Sequence, residues 1–268
     1  MANVLTSDIM KNIIGNNNGD AYINHLNVYM NMYEINTLPR IQFFIAIACG
    51  ETGGFSKLDE NLNYKSIERI KTVFSNINFG NEDLSQYVGN PELLANRVYG
   101  GRFNNNPPPS QDGWDFRGGG LFQLTFRGNY EAFAKAINEG ANPPSPIIKA
   151  EHLAIENYEG EHKDYYIRKH MGAVKSACHY VKSRGVLPEA DKNTEESFIA
   201  ACKKVGRCPD GNNYKKKRDY WIKCKTFIGG NGIVGNNNTT STENTRLNFL
   251  TSFDLNVFLD AKQRIGNN

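Results

Sequence analysis

The segment Ile41-Gln42-Phe43-Phe44-Ile45-Ala46-Ile47-Ala48-Cys49 is apolar at all but one position, and it ends two residues before Glu51. Burying each large side chain of such a run contributes about 1.5–3 kcal/mol, so the segment belongs in a core. Pro39 fits the first turn of a helix, which predicts a helix from there to about Cys49. Glu51 is therefore delivered straight from the interior, and a carboxyl so placed is partly desolvated, which favours its neutral form. Gly53-Gly54 then allow the backbone to turn sharply. Glu60 follows nine residues after Glu51, among polar neighbours that can keep it ionised. One acid held neutral and one carboxylate held charged is the equipment for cleaving a glycosidic bond. A pair of surface carboxylates beside a glycine turn is the plainer reading of the same residues.

The surroundings favour the first reading. Trp114, Phe116, Phe55 and Tyr64 offer flat apolar faces that suit sugar rings. Gln123, Thr125, Asn61, Asn63 and Asn129 offer neutral groups for hydroxyls and N-acetyl amides. Each is more often structural when taken alone, since a buried tryptophan is usually core and a turn asparagine usually a cap. Together they fit a carbohydrate cleft.

Other chemistries fit poorly. The chain has no GxSxG elbow, P-loop lysine or HExxH pair. Gly118-Gly119-Gly120 lacks the spacing and acidic partner of a dinucleotide fingerprint. The five cysteines, Cys49, Cys178, Cys202, Cys208 and Cys224, are odd in number and without CxxC spacing, which argues against a disulfide framework or a zinc site. Cys202 and Cys208 could pair, but nothing demands it. Cys178 and His179 are adjacent in a predicted helix and so do not face each other as a nucleophile and base must. No metal or cofactor is expected.

Most of the chain reads as helix, over 4–14, about 20–35, 39–49, and near 65–77, 91–97, 129–139, 164–183, 194–205 and 213–226. Phe122-Gln123-Leu124-Thr125-Phe126 is the best short extended segment. The prediction is a mainly α fold with at most a small β-sheet. Residues 229–245, rich in Gly, Asn, Ser and Thr, read as a linker, and the remainder to 268 as a short tail, too small to be a domain. Residues 1–228 are then one catalytic domain.

The net charge is only +3, but 203–225 carries nine Lys or Arg against two Asp. A solvated helix face is the simplest account; a patch attracting an anionic polymer such as a bacterial cell wall is the sharper one. No nucleic-acid motif accompanies it. The opening residues lack the basic start and apolar stretch of a signal peptide, and no segment reaches the ~18 apolar residues of a membrane span. The expected location is a host bacterial cytoplasm until release to the wall, with a secreted or virion-associated protein as the alternative.

Five blocks, in order, resemble the glycoside hydrolase family 19 pattern, that of plant-type chitinases and related phage endolysins. Gly50-Glu51-Thr52-Gly53-Gly54-Phe55 resembles its His-Glu-Ser/Thr-Gly-Gly-Phe motif. Glu60-Asn61-Leu62-Asn63-Tyr64 and Ala95-Asn96-Arg97-Val98-Tyr99-Gly100-Gly101-Arg102 are similar to blocks of the endolysin branch. Gly113-Trp114-Asp115-Phe116-Arg117-Gly118-Gly119-Gly120-Leu121 resembles Gly-Trp-x-(Tyr/Phe)-Arg-Gly-Arg-Gly-Leu, and Gln123-Leu124-Thr125-Phe126-Arg127-Gly128-Asn129-Tyr130 resembles Gln-Leu-Thr-Gly-Arg-x-Asn-Tyr. The resemblance is strong over 40–140, weaker to about 226, and does not cover the tail.

The resemblance implies a lysozyme-like, two-lobed helical domain with a central cleft. It implies Glu51 as general acid, Glu60 as general base and Thr125 as a residue holding the attacking water. Gln123 and Asn129 match substrate-contacting positions, and Tyr64, Asn63 and Trp114 are further candidates for substrate binding. The family inverts anomeric configuration, which calls for carboxylates roughly 6.5–9.5 Å apart. The implied activity is hydrolysis of the β-1,4 N-acetylmuramic acid–N-acetylglucosamine bond of peptidoglycan by a monomer, without nucleic acid or stable membrane insertion. A chitinase or a non-catalytic sugar-binding relative is the alternative. The chain departs from the pattern at Gly50, where the family has His, and at Gly119, where it has Arg. The family's later arginine could correspond to Arg218 or, in another register, Lys217. These departures bear on rate and substrate more than on fold.

Overall fold

A computed structural model describes residues 4–140, 142–206 and 212–229, with 212 and 213 described for their backbone only. The proposed linker and tail beyond 229, and Cys208, lie outside the described residues. The helices are α1 (Ser7–Ile14), α2 (Ile23–Met32), α3 (Leu38–Thr52), α4 (Ile67–Val73), α5 (Pro91–Tyr99), α6 (Asp112–Asp115), α7 (Arg127–Asn138), α8 (Ala150–Ala154), α9 (His170–Ser183), α10 (Leu187–Lys192), α11 (Glu195–Val205) and α12 (Asn212–Phe227). Among the described residues there is no strand, and the mainly helical architecture is consistent with a lysozyme-like fold. No described helix is long and apolar enough to cross a membrane.

Helix α3 is the axis of the molecule. The Thr37 side chain caps its start by accepting from the Arg40 N–H, and Pro39 stands in its first turn. Every residue from Ile41 to Cys49 is buried, as a helix apolar on all sides must be. Gly53, at φ +61°, ends it in a left-handed cap whose N–H donates to the Cys49 carbonyl. Around α3 pack residues of α1, α2, α9, α10, α11 and α12 in one apolar cluster. A second cluster joins α7 to α8, and a third joins α4 to α5 and the turn Leu84–Tyr87.

Helix α12 explains the basic run. Lys217, Trp221, Cys224 and Ile228 are buried, and their spacing places them on one helical face. Trp221 stacks on Phe198, with ring centres 4.6 Å apart, and meets Phe43 of α3 edge-on at 5.3 Å. Lys215, Lys216 and Lys223 are exposed. The described cations of the run thus face solvent apart from Lys217, which is turned inward. The buried Cys49, Cys178 and Cys224 carry free thiols, and desolvation raises the pKa of each.

Two expectations need correction. Phe122–Phe126 is not a strand: Gln123 and Phe126 adopt φ of +51° and +73°, outside the β region. Only isolated antiparallel bridges, Asp59 to Gly119 and Gly119 to Leu124, stitch this region. The helix expected over 164–183 begins at His170. Gly172 stands so close to the Tyr165 and Tyr166 carbonyls that a Cβ there would lie within 2.4 Å of either oxygen. The preceding chain thus crosses over the helix start instead of continuing it.

Candidate functional site

Glu60 is held by a tightly specified backbone. The Gly120 N–H donates to the Leu58 carbonyl at 2.8 Å, and the Glu60 N–H to the Gly118 carbonyl at 3.0 Å. Gly119 in turn exchanges hydrogen bonds of 3.0 and 2.8 Å with Leu124. Three chain segments are thus pinned together, which ties Glu60 to the block containing Gln123 and Thr125. The glycines are needed for contact: a Cβ on Gly118 would lie 2.9 Å from Gln123 Oε1 and 3.1 Å from Glu60 Oε2.

Both Glu60 oxygens are engaged. Oε1 accepts from the Tyr99 hydroxyl at 2.6 Å, and Oε2 from the Gly118 N–H at 3.0 Å. Burial, reinforced by the Glu60 charge, pushes the Tyr99 phenol far up, so Tyr99 remains a donor. Tyr64 also lies near Glu60, its phenol raised by burial first and by that carboxylate second. Tyr99 sits within a recognised sequence block, but that block did not disclose its role.

Thr125 directs its hydroxyl to the Gln123 carbonyl at 2.9 Å, and Asn129 donates to the Thr125 carbonyl at 2.7 Å. Gln123 donates from Nε2 to the Gly120 carbonyl at 3.2 Å. These three residues share one hydrogen-bonded turn. Asn63 is exposed, and its Oδ1 accepts from Lys65. Trp114 is half-buried, and the Arg117 guanidinium covers one face of its ring at 3.6 Å. On that face a cation, not a sugar, is the partner.

Asp59, just before Glu60, is clamped by two arginines. Arg117 reaches Asp59 Oδ2 at 2.7 Å, and Arg168 Nε reaches Oδ1 at 2.8 Å. Arg168 also donates to the Ala154 and Arg117 carbonyls, both at 2.9 Å. A Cβ on Gly119 would lie 3.1 Å from Arg168 Cζ. The space beside Gly119 is thus filled by the guanidinium of Arg168, a residue from much later in the chain. Sequence reasoning missed it because nothing local marks it. Its side chain is 5% exposed while that of Asp59 is 47% exposed, so losing the half-open pair together with the two carbonyl hydrogen bonds costs about 1–3 kcal/mol. Chemical denaturation of Arg168→Met is expected to show that loss. Arg168→Lys will recover only part of it, because one ammonium cannot reproduce the three-way fork.

Glu51 stands in the last turn of α3, where the helix dipole disfavours an anion. Lys217 supplies the counter-charge: its Nζ lies 2.5 Å from Glu51 Oε1, with side-chain exposures of 3% and 25%. The geometry also distinguishes the two neighbouring cations. Arg218 points elsewhere, to Glu195 at 2.6 Å, and Lys217 is the cation beside the acid. Gly50 makes this possible, since a Cβ there would fall 2.3 Å from Lys217 Cγ. Glu51 thus has a lysine against it, a contact that its position after an apolar run does not disclose.

Glu51 also borders a cavity of about 460 Å³ between the end of α3 and α12. Glu60, Gln123, Thr125, Asn129 and Trp114 are not among its lining residues. Elsewhere, His152, Glu159 and Glu161 place ligand-type atoms within 4.8 Å of one another. However, His152 Nδ1 accepts the Lys149 N–H at 2.9 Å, leaving Nε2 as the protonated nitrogen, and Lys149 occupies Glu159 at 2.9 Å. That pairing suits a structural link better than a metal.

No family model matches the chain. A glycosyl hydrolase family 19 domain-containing protein of Haemophilus influenzae is 39% identical over 100 residues, which are 37% of this chain and 50% of that protein. The chain thus spans about half the length of that curated relative.

Proposed function

Starting from this chain's relationship to glycosyl hydrolase family 19, we propose that residues 1–228 are a glycoside hydrolase domain of the endolysin type. It cleaves the β-1,4 bond between N-acetylmuramic acid and N-acetylglucosamine with inversion. The observation that carries this reading is the fixing of Glu60 by Tyr99 and the Gly118 N–H, beside the turn holding Thr125. A carboxylate with both oxygens oriented is prepared to take a proton from one water in one direction.

In the proposed reaction Glu51, once it has taken up a proton, gives it to the glycosidic oxygen as the C1–O bond breaks. Water attacks C1 from the opposite face and loses its proton to Glu60. Lys217 stabilises the Glu51 carboxylate that proton transfer leaves behind. Thr125, with its hydroxyl on the Gln123 carbonyl, can still accept a hydrogen bond from the water. Gln123, Asn129, Tyr64, Asn63 and the uncovered side of Trp114 are proposed to meet the sugar chain. The enzyme is proposed to act as a monomer, held in a bacterial cytoplasm until it reaches the wall.

Reducing-end release from purified peptidoglycan and from soluble chitin oligomers, with wild type and Glu60→Gln, tests this. Cleavage of peptidoglycan alone, reduced about 10²–10⁴-fold in the variant, is expected. Cleavage of chitin would make the protein a chitinase, and binding without cleavage would make it a sugar-binding relative.

A further inference from the structure

The cavity beside Glu51 is lined by Lys57, Lys216 and Lys223, with Asp219 and Tyr220. All three lysines are exposed. Both carboxylates in the lining are already paired with lysines that do not line it: Asp219 with Lys215 at 2.8 Å, and Glu51 with Lys217 at 2.5 Å. Lys223 donates to the Ile13 carbonyl at 3.2 Å. Among the described residues, Lys57 and Lys216 have no ion-pair partner. A concave site with uncompensated positive charge favours an anion.

Its position restricts which anion. Because Glu51 forms one wall, an anion that the substrate carries into the cavity belongs to a sugar next to the bond that Glu51 is proposed to protonate. In a polymer of N-acetylglucosamine, every substituent is a neutral hydroxyl or acetamide. Muramic acid adds a 3-O-lactyl arm, whose carboxyl is either free or extended by a peptide that carries carboxylates. We propose that this cavity binds the carboxylates of the lactyl-peptide arm and so selects muramyl substrates over chitin. The inference rests on the glycosidase reading of Glu51.

Kinetics on three substrates test it: teichoic-acid-free peptidoglycan, glycan strands stripped of peptide by an amidase, and the same strands with lactyl carboxyls converted to neutral amides. The stripped strands keep the lactyl carboxylate, so the first two arms separate the lactyl from the peptide source. Wild type should show a KM about 5–50-fold lower on whichever charged substrate supplies the anion than on the neutral strands, as expected for a few partly exposed ion pairs. The triple variant Lys57→Gln/Lys216→Gln/Lys223→Gln should lose that ratio, and the triple Lys→Arg variant should keep it. An unchanged ratio in the Gln variant overturns the proposal. Failure of wild type to cleave any of the three would count against the glycosidase reading instead. Binding of a fluorescent muramyl dipeptide to wild type and the Gln variant then decides the cavity's role: loss in the variant supports it, and equal binding overturns it.

Discussion

Glu51→Gln will lower turnover on peptidoglycan by about 10²–10⁴-fold, because the amide cannot supply the proton that the leaving oxygen needs. The structure adds a second effect. Lys217 is 3% exposed, and Glu51 is its ion-pair partner, so the neutral variant leaves an ammonium buried without a counter-charge. Glutamine's carbonyl still accepts a hydrogen bond, and Glu51 itself is partly open to water. The expected destabilisation is therefore about 1–3 kcal/mol, below that of a fully buried broken pair. Adding Lys217→Met should restore stability without restoring turnover. Denaturation curves alongside the rate assay separate the two effects. A single variant with wild-type turnover would end the assignment of Glu51 as the acid.

Gly50→His, which installs the residue the related motif carries, will destabilise the protein instead of improving it. The new Cβ alone would lie 2.3 Å from Lys217 Cγ, and the imidazole needs space that Lys217 already fills. Overpacking of this kind costs about 1–3 kcal/mol, and here it also displaces the partner of Glu51. Gly50→Ala will fall on the same side: its gain in helix propensity is about 1 kcal/mol, but its methyl meets the same atom. Shortening the lysine in the double variant Gly50→His/Lys217→Ser should recover most of the stability. A Gly50→His variant as stable as wild type would contradict the close approach of α12 to α3.

Much of this arrangement was legible in sequence because it is local. The apolar run before Glu51 required a buried helix, and Gly53 marked its end. The blocks around Glu60 and Gly118–Asn129 named residues that do lie together. What stayed hidden depends on contacts between distant segments. Lys217 belongs to a run of charges that reads as solvated, and only the 217, 221, 224, 228 spacing of buried positions marks its inward face. The two departures from the motif read as losses in one dimension. In space each glycine admits a cation from later in the chain, Lys217 at Gly50 and Arg168 at Gly119. Trp114 was chosen for its flat face, and no sequence signal says that Arg117 lies on one side of it. The segment 122–126 does not run extended because Gln123 and Phe126 take up left-handed φ, which folds it against Gly119 and Gly120.

Proton NMR of a fresh digest of purified peptidoglycan tests the central claim most directly, since it identifies both the new reducing sugar and its anomer before mutarotation. Two carboxylates acting through a water on the far face of the ring predict the α-anomer first, and the proposed bond predicts N-acetylmuramic acid at the new reducing end. A β-anomer appearing first would contradict the roles given to Glu51 and Glu60, and N-acetylglucosamine at the reducing end would contradict the bond assigned.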